Sequence, residues 1–85
     1  MKDYISITRD NAERILLLRN PECAVFIFLA LSADEEGRTS ARTALKNLTW
    51  ARTSINKAIE ALEEKGMIRR RGNTIFIENW EEYQL

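Results

Sequence analysis

Histidine is missing from this chain of 85 residues. A catalytic triad with a histidine base, a histidine metal site and a histidine pH switch are therefore excluded by count. A single cysteine, Cys23, leaves no internal disulfide and no zinc set of the usual kind. Its place in an apolar helical stretch reads as a buried, inert thiol. The three glycines, Gly37, Gly66 and Gly72, are too scattered to form a phosphate-cradling loop. The longest apolar run, Cys23 to Leu31, has nine residues, far short of the ~20 that cross a bilayer. No basic-then-apolar leader opens the chain, because Asp3, Arg9, Asp10 and Glu13 interrupt the early hydrophobics. The expectation is a cytoplasmic protein with no membrane partner, no cofactor and no metal. The acidic runs Asp34-Glu35-Glu36, Glu63-Glu64 and Glu81-Glu82 read as solvated charge. Nothing pairs a nucleophile with a base, so an enzyme is not expected.

What is present is a strong segregation of charge. Thirteen basic and thirteen acidic residues give a formal net charge of zero. Yet the segment from Arg38 to Gly72 holds nine of the basic residues against only Glu60, Glu63 and Glu64. The stretches on either side are net acidic. A neutral chain with one positive segment has a polarised surface, which draws a polyanion to one face.

Eighty-five residues make one small domain. Residues Tyr4 to Thr8 alternate and suit a short strand or extended arm, after which Thr8 or Asp10 caps a helix through Ala12, Ile15 and Leu16 to about Arg19. Asn20-Pro21-Glu22 is a helix start: Asn20 as the cap, Pro21 at the first helical position, Glu22 at the positive end of the dipole. The helix to about Ala33 is apolar on nearly every side, so it is buried all round. Phe26, Ile27, Phe28 and Leu31 exceed what one small core holds without help from Ile15, Leu16, Leu17, Trp80 and Tyr83. Failing that help, the N-terminal segment makes a homodimer.

Asp34-Glu35-Glu36-Gly37 turns the chain. Ser40 caps a short helix from Ala41 to about Leu48, with Trp50 plugging the corner before the next. That helix, about Ala51 to Lys65, sets Ile55, Ala58, Ile59 and Leu62 in one stripe, and Gly66 ends it. Met67-Ile68 and Thr74 to Ile77 read as strands joined across Arg69 to Asn73, with Gly72-Asn73 closing a hairpin. Trp80 and Tyr83 fold the C-terminal segment back over the core, with Trp80 buried. The chain thus divides into an arm and short helix (1–20), a helical core (21–66), a hairpin (67–78) and a C-terminal segment (79–85).

Helix, tight turn, helix and hairpin is the order of a winged helix-turn-helix, a mainly α fold with a small β-hairpin. In such a domain the second helix enters the major groove and the hairpin reaches the backbone or minor groove. Double-stranded DNA is then the expected partner. Arg52, Thr53, Ser54, Asn56 and Lys57 are the residues available to the groove, with Arg suited to guanine and Asn to adenine. Arg38, Arg42 and Lys46 approach phosphates, while Arg69, Arg70, Arg71 and Asn73 load the wing, alternation sending at least one of these arginines away from the DNA. Lys65, beside Glu63 and Glu64, reads as surface charge. A single-strand platform needs aromatics among the basic residues, and the run Arg69 to Arg71 contains none.

The run Ala44 to Ile55, followed by Ala61-Leu62-Glu63-Glu64-Lys65-Gly66-Met67-Ile68, resembles the common bacterial winged-helix pattern. Ile75-Phe76-Ile77-Glu78-Asn79-Trp80-Glu81-Glu82-Tyr83-Gln84 resembles the ending of the winged-helix domain in phage replisome organisers and DnaD-type primosome proteins. The opening Tyr4 to Arg9 and the helix from Asn20 to Ala33 suit the same N-terminal domains. The resemblance implies duplex binding at a replication origin and self-association through the N-terminal segment. It also implies other replication proteins as partners of a second domain, which these 85 residues do not contain. The chain is then either an excised N-terminal domain, which an end at Gln84-Leu85 just past the wing suits, or a small stand-alone protein built on the same module. A small transcription regulator with the same DNA surface is the alternative reading, and a winged helix that docks an acidic protein is a third.

Overall fold

A computed structural model describes residues 6–46 and 50–83. Helix α1 (Arg9–Leu16) and helix α2 (Asn20–Ser32) open the chain. Strand β1 (Arg38–Thr39), helix α3 (Ala41–Ala44) and helix α4 (Arg52–Glu64) follow. Strands β2 (Ile68–Arg71) and β3 (Thr74–Ile77) and a 3₁₀ turn (Trp80–Tyr83) complete it. The domain is helix-rich, with one antiparallel sheet of three strands in the order β1-β3-β2.

For the N-terminal stretch the sequence leaves a short strand or an extended arm open. Ser6 to Thr8 form no strand, although the Ser6 N–H donates to the Tyr83 carbonyl at 2.9 Å and ties the two ends of the domain together. Tyr4 and Ile5 lie outside the described residues. Helix α2 starts one residue earlier than its Asn-Pro signal suggests. Arg19 is the cap and Asn20 the first helical residue, because the Glu22 carboxylate reaches back to accept the Arg19 N–H at 3.2 Å. That carboxylate also takes the ammonium of Lys65 from the far end of α4. Glu22 keeps only 10% side-chain exposure and Lys65 keeps 41%. Lys65 is thus not idle surface charge but a clamp between two helices.

The core forms where α2 packs on α4 and both cover one face of the sheet. Val25, Phe26 and Leu29 of α2 meet Ile59 and Leu62 of α4, with Ile68, Ile75 and Ile77 beneath. Ile15, Trp80 and Tyr83 supply the help that the crowded α2 needs, and Tyr83 meets Phe26 edge-on at 5.6 Å. Ile27, Phe28 and Leu31 are half-buried. Leu16 and Leu17 do not join the core; they stand 81% and 79% exposed. Cys23 is half-buried against the core instead of sealed inside it. Burial at ~25 cal/mol per Å² of apolar surface makes this shared cluster the main source of stability.

One expected connection is in fact a strand. Arg38 and Thr39 pair with Phe76 and Ile75, so the acidic turn leads into β1 at the sheet edge. Gly37, at φ +80°, makes that entry possible, and the Trp80 side chain lies where a Cβ would stand. The Trp80 indole N–H donates to the Glu35 carbonyl at 3.1 Å, which seats the ring under the turn. Asn79, at φ 57°, reverses the chain after β3 so that Trp80 comes back over the core.

A candidate nucleic-acid interface on α3, α4 and the hairpin

Ser40 caps α3 as expected, its hydroxyl accepting the Thr43 N–H at 3.2 Å. The helix ends at Ala44, four residues before the expected limit; Leu48 lies outside the described residues. Arg42 and Lys46 are exposed, one in the helix and one just beyond it. Trp50 does not plug the corner ahead of α4, since it is 40% exposed.

Helix α4 buries Ala58, Ile59 and Leu62. At 3.6 residues per turn, Thr53, Asn56, Lys57 and Glu60 share the opposite, solvent-facing stripe. Arg52 falls on the flank of Asn56 and Glu63, and Ser54 falls on the other flank. The exposed side of the helix is divided along its length. Its first half carries Arg52, Thr53, Asn56 and Lys57, and its second half carries Glu60, Glu63 and Glu64. Ala51 occupies the cap position with no side-chain bond, and neither Thr53 nor Ser54 caps the helix. The first turn therefore presents uncapped backbone N–H groups beside two cations, an arrangement that attracts an anion.

The three hairpin arginines lie within strand β2 and not in the turn, which is Gly72-Asn73 alone. Gly72 takes the first central position at φ 61°, the place a type II′ turn reserves for glycine. Strand alternation then separates the arginines, as the period of two requires. Arg70 shares the inner face with Ile68 and donates to Glu63 of α4 through Nε at 3.0 Å and Nη2 at 2.8 Å. Its hydrogen bonds hold the Glu63 carboxyl below its ordinary pKa, and the same contact raises that of Arg70. Arg69 and Arg71 take the outer face. Arg69 pairs with Glu78 at 3.3 Å and lies over the Phe76 ring, 5.0 Å from its centroid.

Arg38 is similarly engaged. Its Nε meets Asp34 at 3.0 Å and its Nη2 meets Glu36 at 3.4 Å. The Asp34 carboxyl lies below its ordinary pKa, first because it accepts the Arg38 backbone N–H. The nine basic residues of the segment thus separate into two groups. Arg38, Lys65, Arg69 and Arg70 each hold a carboxylate. Arg42, Lys46, Arg52, Lys57 and Arg71 form no ion pair among the described residues. Asn73 is exposed at the hairpin tip. Two participants escape a reading of the sequence: Glu63, which occupies Arg70, and Phe76, which lies under Arg69. A strict two-residue turn sets both hairpin partners in register, so the Phe76 contact was encoded in Gly72-Asn73; the reach of Arg70 to Glu63 was not.

No group of histidine, cysteine, aspartate or glutamate among the described residues is placed to hold a metal ion. No helix among them is long and apolar enough to cross a membrane. No protein-family model, curated protein or solved structure matches the chain.

Proposed function

We propose that this protein binds double-stranded DNA as a winged helix-turn-helix domain of a replication initiator or replisome organiser. Helix α4 enters the major groove by its first two turns, α3 braces against one backbone, and the β2–β3 hairpin is the wing. The observation that carries this reading is the pattern of ion pairing. The five cations of the segment that form no ion pair among the described residues lie on α3 and just beyond it, on the first half of α4 and at the wing, where phosphates would meet them. The acidic second half of α4 gives the docking a direction, because only its N-terminal end suits a polyanion. Recognition helices commonly contact base edges through that end.

Arg52, Thr53, Asn56 and Lys57 are the reading set, with Arg52 suited to guanine and Asn56 to adenine. Arg42, Lys46 and Arg71 grip phosphates and carry no sequence information. Ser54, on the outer flank, serves the adjacent backbone. The exposed Leu16-Leu17 pair belongs to this reading as the place where a second copy packs, which would give paired half-sites on DNA.

Selection of bound sequences from a random duplex pool, followed by binding measurements on the selected site, tests the proposal. Arg52→Ala is expected to weaken the selected site more than random duplex, and Arg71→Ala to weaken both alike. Failure to enrich any sequence, with no duplex binding at low salt, overturns it. Footprinting at an origin or at a promoter separates the initiator from a transcription regulator that uses the same surface.

A further inference from the structure

The outward face of the sheet is chemically distinct from the α4 surface. Antiparallel register sets Arg38 opposite Phe76 across β1 and β3, and Arg69 opposite Phe76 across β3 and β2. Residues paired in this way hold their Cβ atoms about 5 Å apart. Ile75 and Ile77 are buried on either side of Phe76, so alternation turns its ring outward. The result is a row of arginine, phenylalanine and arginine across three strands, with the Arg69 guanidinium already over the ring. Arg71 and Thr74 extend the same face toward the hairpin tip. Helix α4 lies on the other side of the sheet, where Arg70 reaches it.

We propose that this face binds single-stranded nucleic acid, with a base stacked at Phe76 and Arg69 and the flanking phosphates on Arg38, Arg69 and Arg71. Base π-faces stack on aromatic rings and guanidinium planes whatever the base, and arginines beside the ring add charge for the backbone. The rim carboxylates leave room for this. Arg69 commits only Nε to Glu78, and Arg38 commits Nε and Nη2 to Asp34 and Glu36. A guanidinium has five N–H donors, so both keep Nη donors for a phosphate while their planes are held in place. Arg71 holds no carboxylate among the described residues. An acidic peptide would satisfy the arginines, but it would gain nothing from a ring set between them. The single strand uses both.

The test is fluorescence anisotropy of labelled oligothymidylate and oligouridylate of roughly twelve nucleotides, within the range that small single-strand folds cover. The full chain is titrated at about 50 mM salt, where phosphate contacts are strong. Binding to one or both is expected, and the stronger arm assigns DNA or RNA. Phe76→Leu, which keeps apolar bulk and loses the ring, should weaken it about tenfold, and Arg69→Gln should weaken it as well. Arg52→Ala on α4 should leave it unchanged, so that loss of duplex reading and loss of this site are told apart. Circular dichroism establishes that each variant is folded. Absence of binding by the wild-type chain overturns the proposal. So does equal affinity of wild type and a folded Phe76→Leu, or a loss caused by Arg52→Ala alone.

Discussion

Arg70 of the hairpin and Glu63 of α4 are joined by two hydrogen bonds to one carboxylate oxygen, at 3.0 and 2.8 Å. The pair pins the wing to the helix that the proposed function places in the groove. It also compensates a cation that the proposed function would otherwise set against a phosphate. Glu63 already compensates the charge of Arg70, so a phosphate gains less from this arginine than from an unpaired cation.

Glu63→Gln therefore frees Arg70. Binding to the selected duplex should tighten several-fold. With about five free cations on phosphates, log K for the wild type should fall by roughly 4 to 5 per log unit of salt. The variant should fall more steeply, by about 0.9 for one further contact. Titrations at several salt concentrations measure both slopes. Equal slopes for the two proteins would mean that Arg70 does not exchange partners.

Gly37 holds φ +80°, and a Cβ added there would lie 2.6 Å from Trp80 Cγ. Gly37→Ala thus combines a strained backbone with an overlap against a ring that is itself buried. A loss on the order of 3 kcal/mol is expected from the two effects together. Urea unfolding reads it as a lower midpoint. Gly66→Ala is the control: its φ is +74° but nothing lies near its missing Cβ, so only the backbone strain of about 1 kcal/mol applies.

The Glu22–Lys65 clamp carries a pH signature. The Lys65 ammonium, first of all by its hydrogen bond, holds the Glu22 carboxyl below its ordinary pKa. A depressed carboxylate contributes stability above its unfolded value, ~4.3, and loses it as pH falls through the lower folded value. Lys65→Met should cost about 1 kcal/mol at neutral pH, because the half-exposed ammonium is partly screened. The gap between wild type and variant should close as pH falls below ~4. A gap that stays constant across that range would assign the effect of Lys65 to its aliphatic stem.

Leu16 ends α1 and Leu17 follows it, at 81% and 79% exposure. If a second copy packs there, Leu16→Lys with Leu17→Lys should abolish concentration-dependent association while leaving the helical signal intact. Sedimentation equilibrium distinguishes the cases. A wild-type chain that stays monomeric at high concentration removes the dimer from the proposed function.

Much of the fold is local and was legible. The apolar stripe Ile55, Ala58, Ile59 and Leu62 marks the buried side of α4 by period alone. Gly72-Asn73 closes the hairpin by its turn chemistry, although the three arginines before it belong to strand β2 and not, as expected, to the connection. The position of Trp80 in the core follows from its place after β3. These depend on spacing, turn chemistry and hydrophobicity, which act over a few residues. The two-residue strand β1 was not legible, because Arg38-Thr39 is too short to show an alternating period; it forms where β3 offers an edge beside the Gly37 turn.

The sequence by itself determined that nine basic residues lie in one segment, and that histidine and paired cysteines are absent. It also determined that a polar-faced helix precedes a hairpin. Tertiary structure alone decided which cations keep their charge for a partner. Ion pairing acts through space, so Glu22 meets Lys65 across 43 residues and Glu63 meets Arg70 across seven. A count of charges holds no such distances. Only folding separates Arg42, Lys46, Arg52, Lys57 and Arg71 from the arginines that hold the domain together, and only folding brings Phe76 between Arg38 and Arg69.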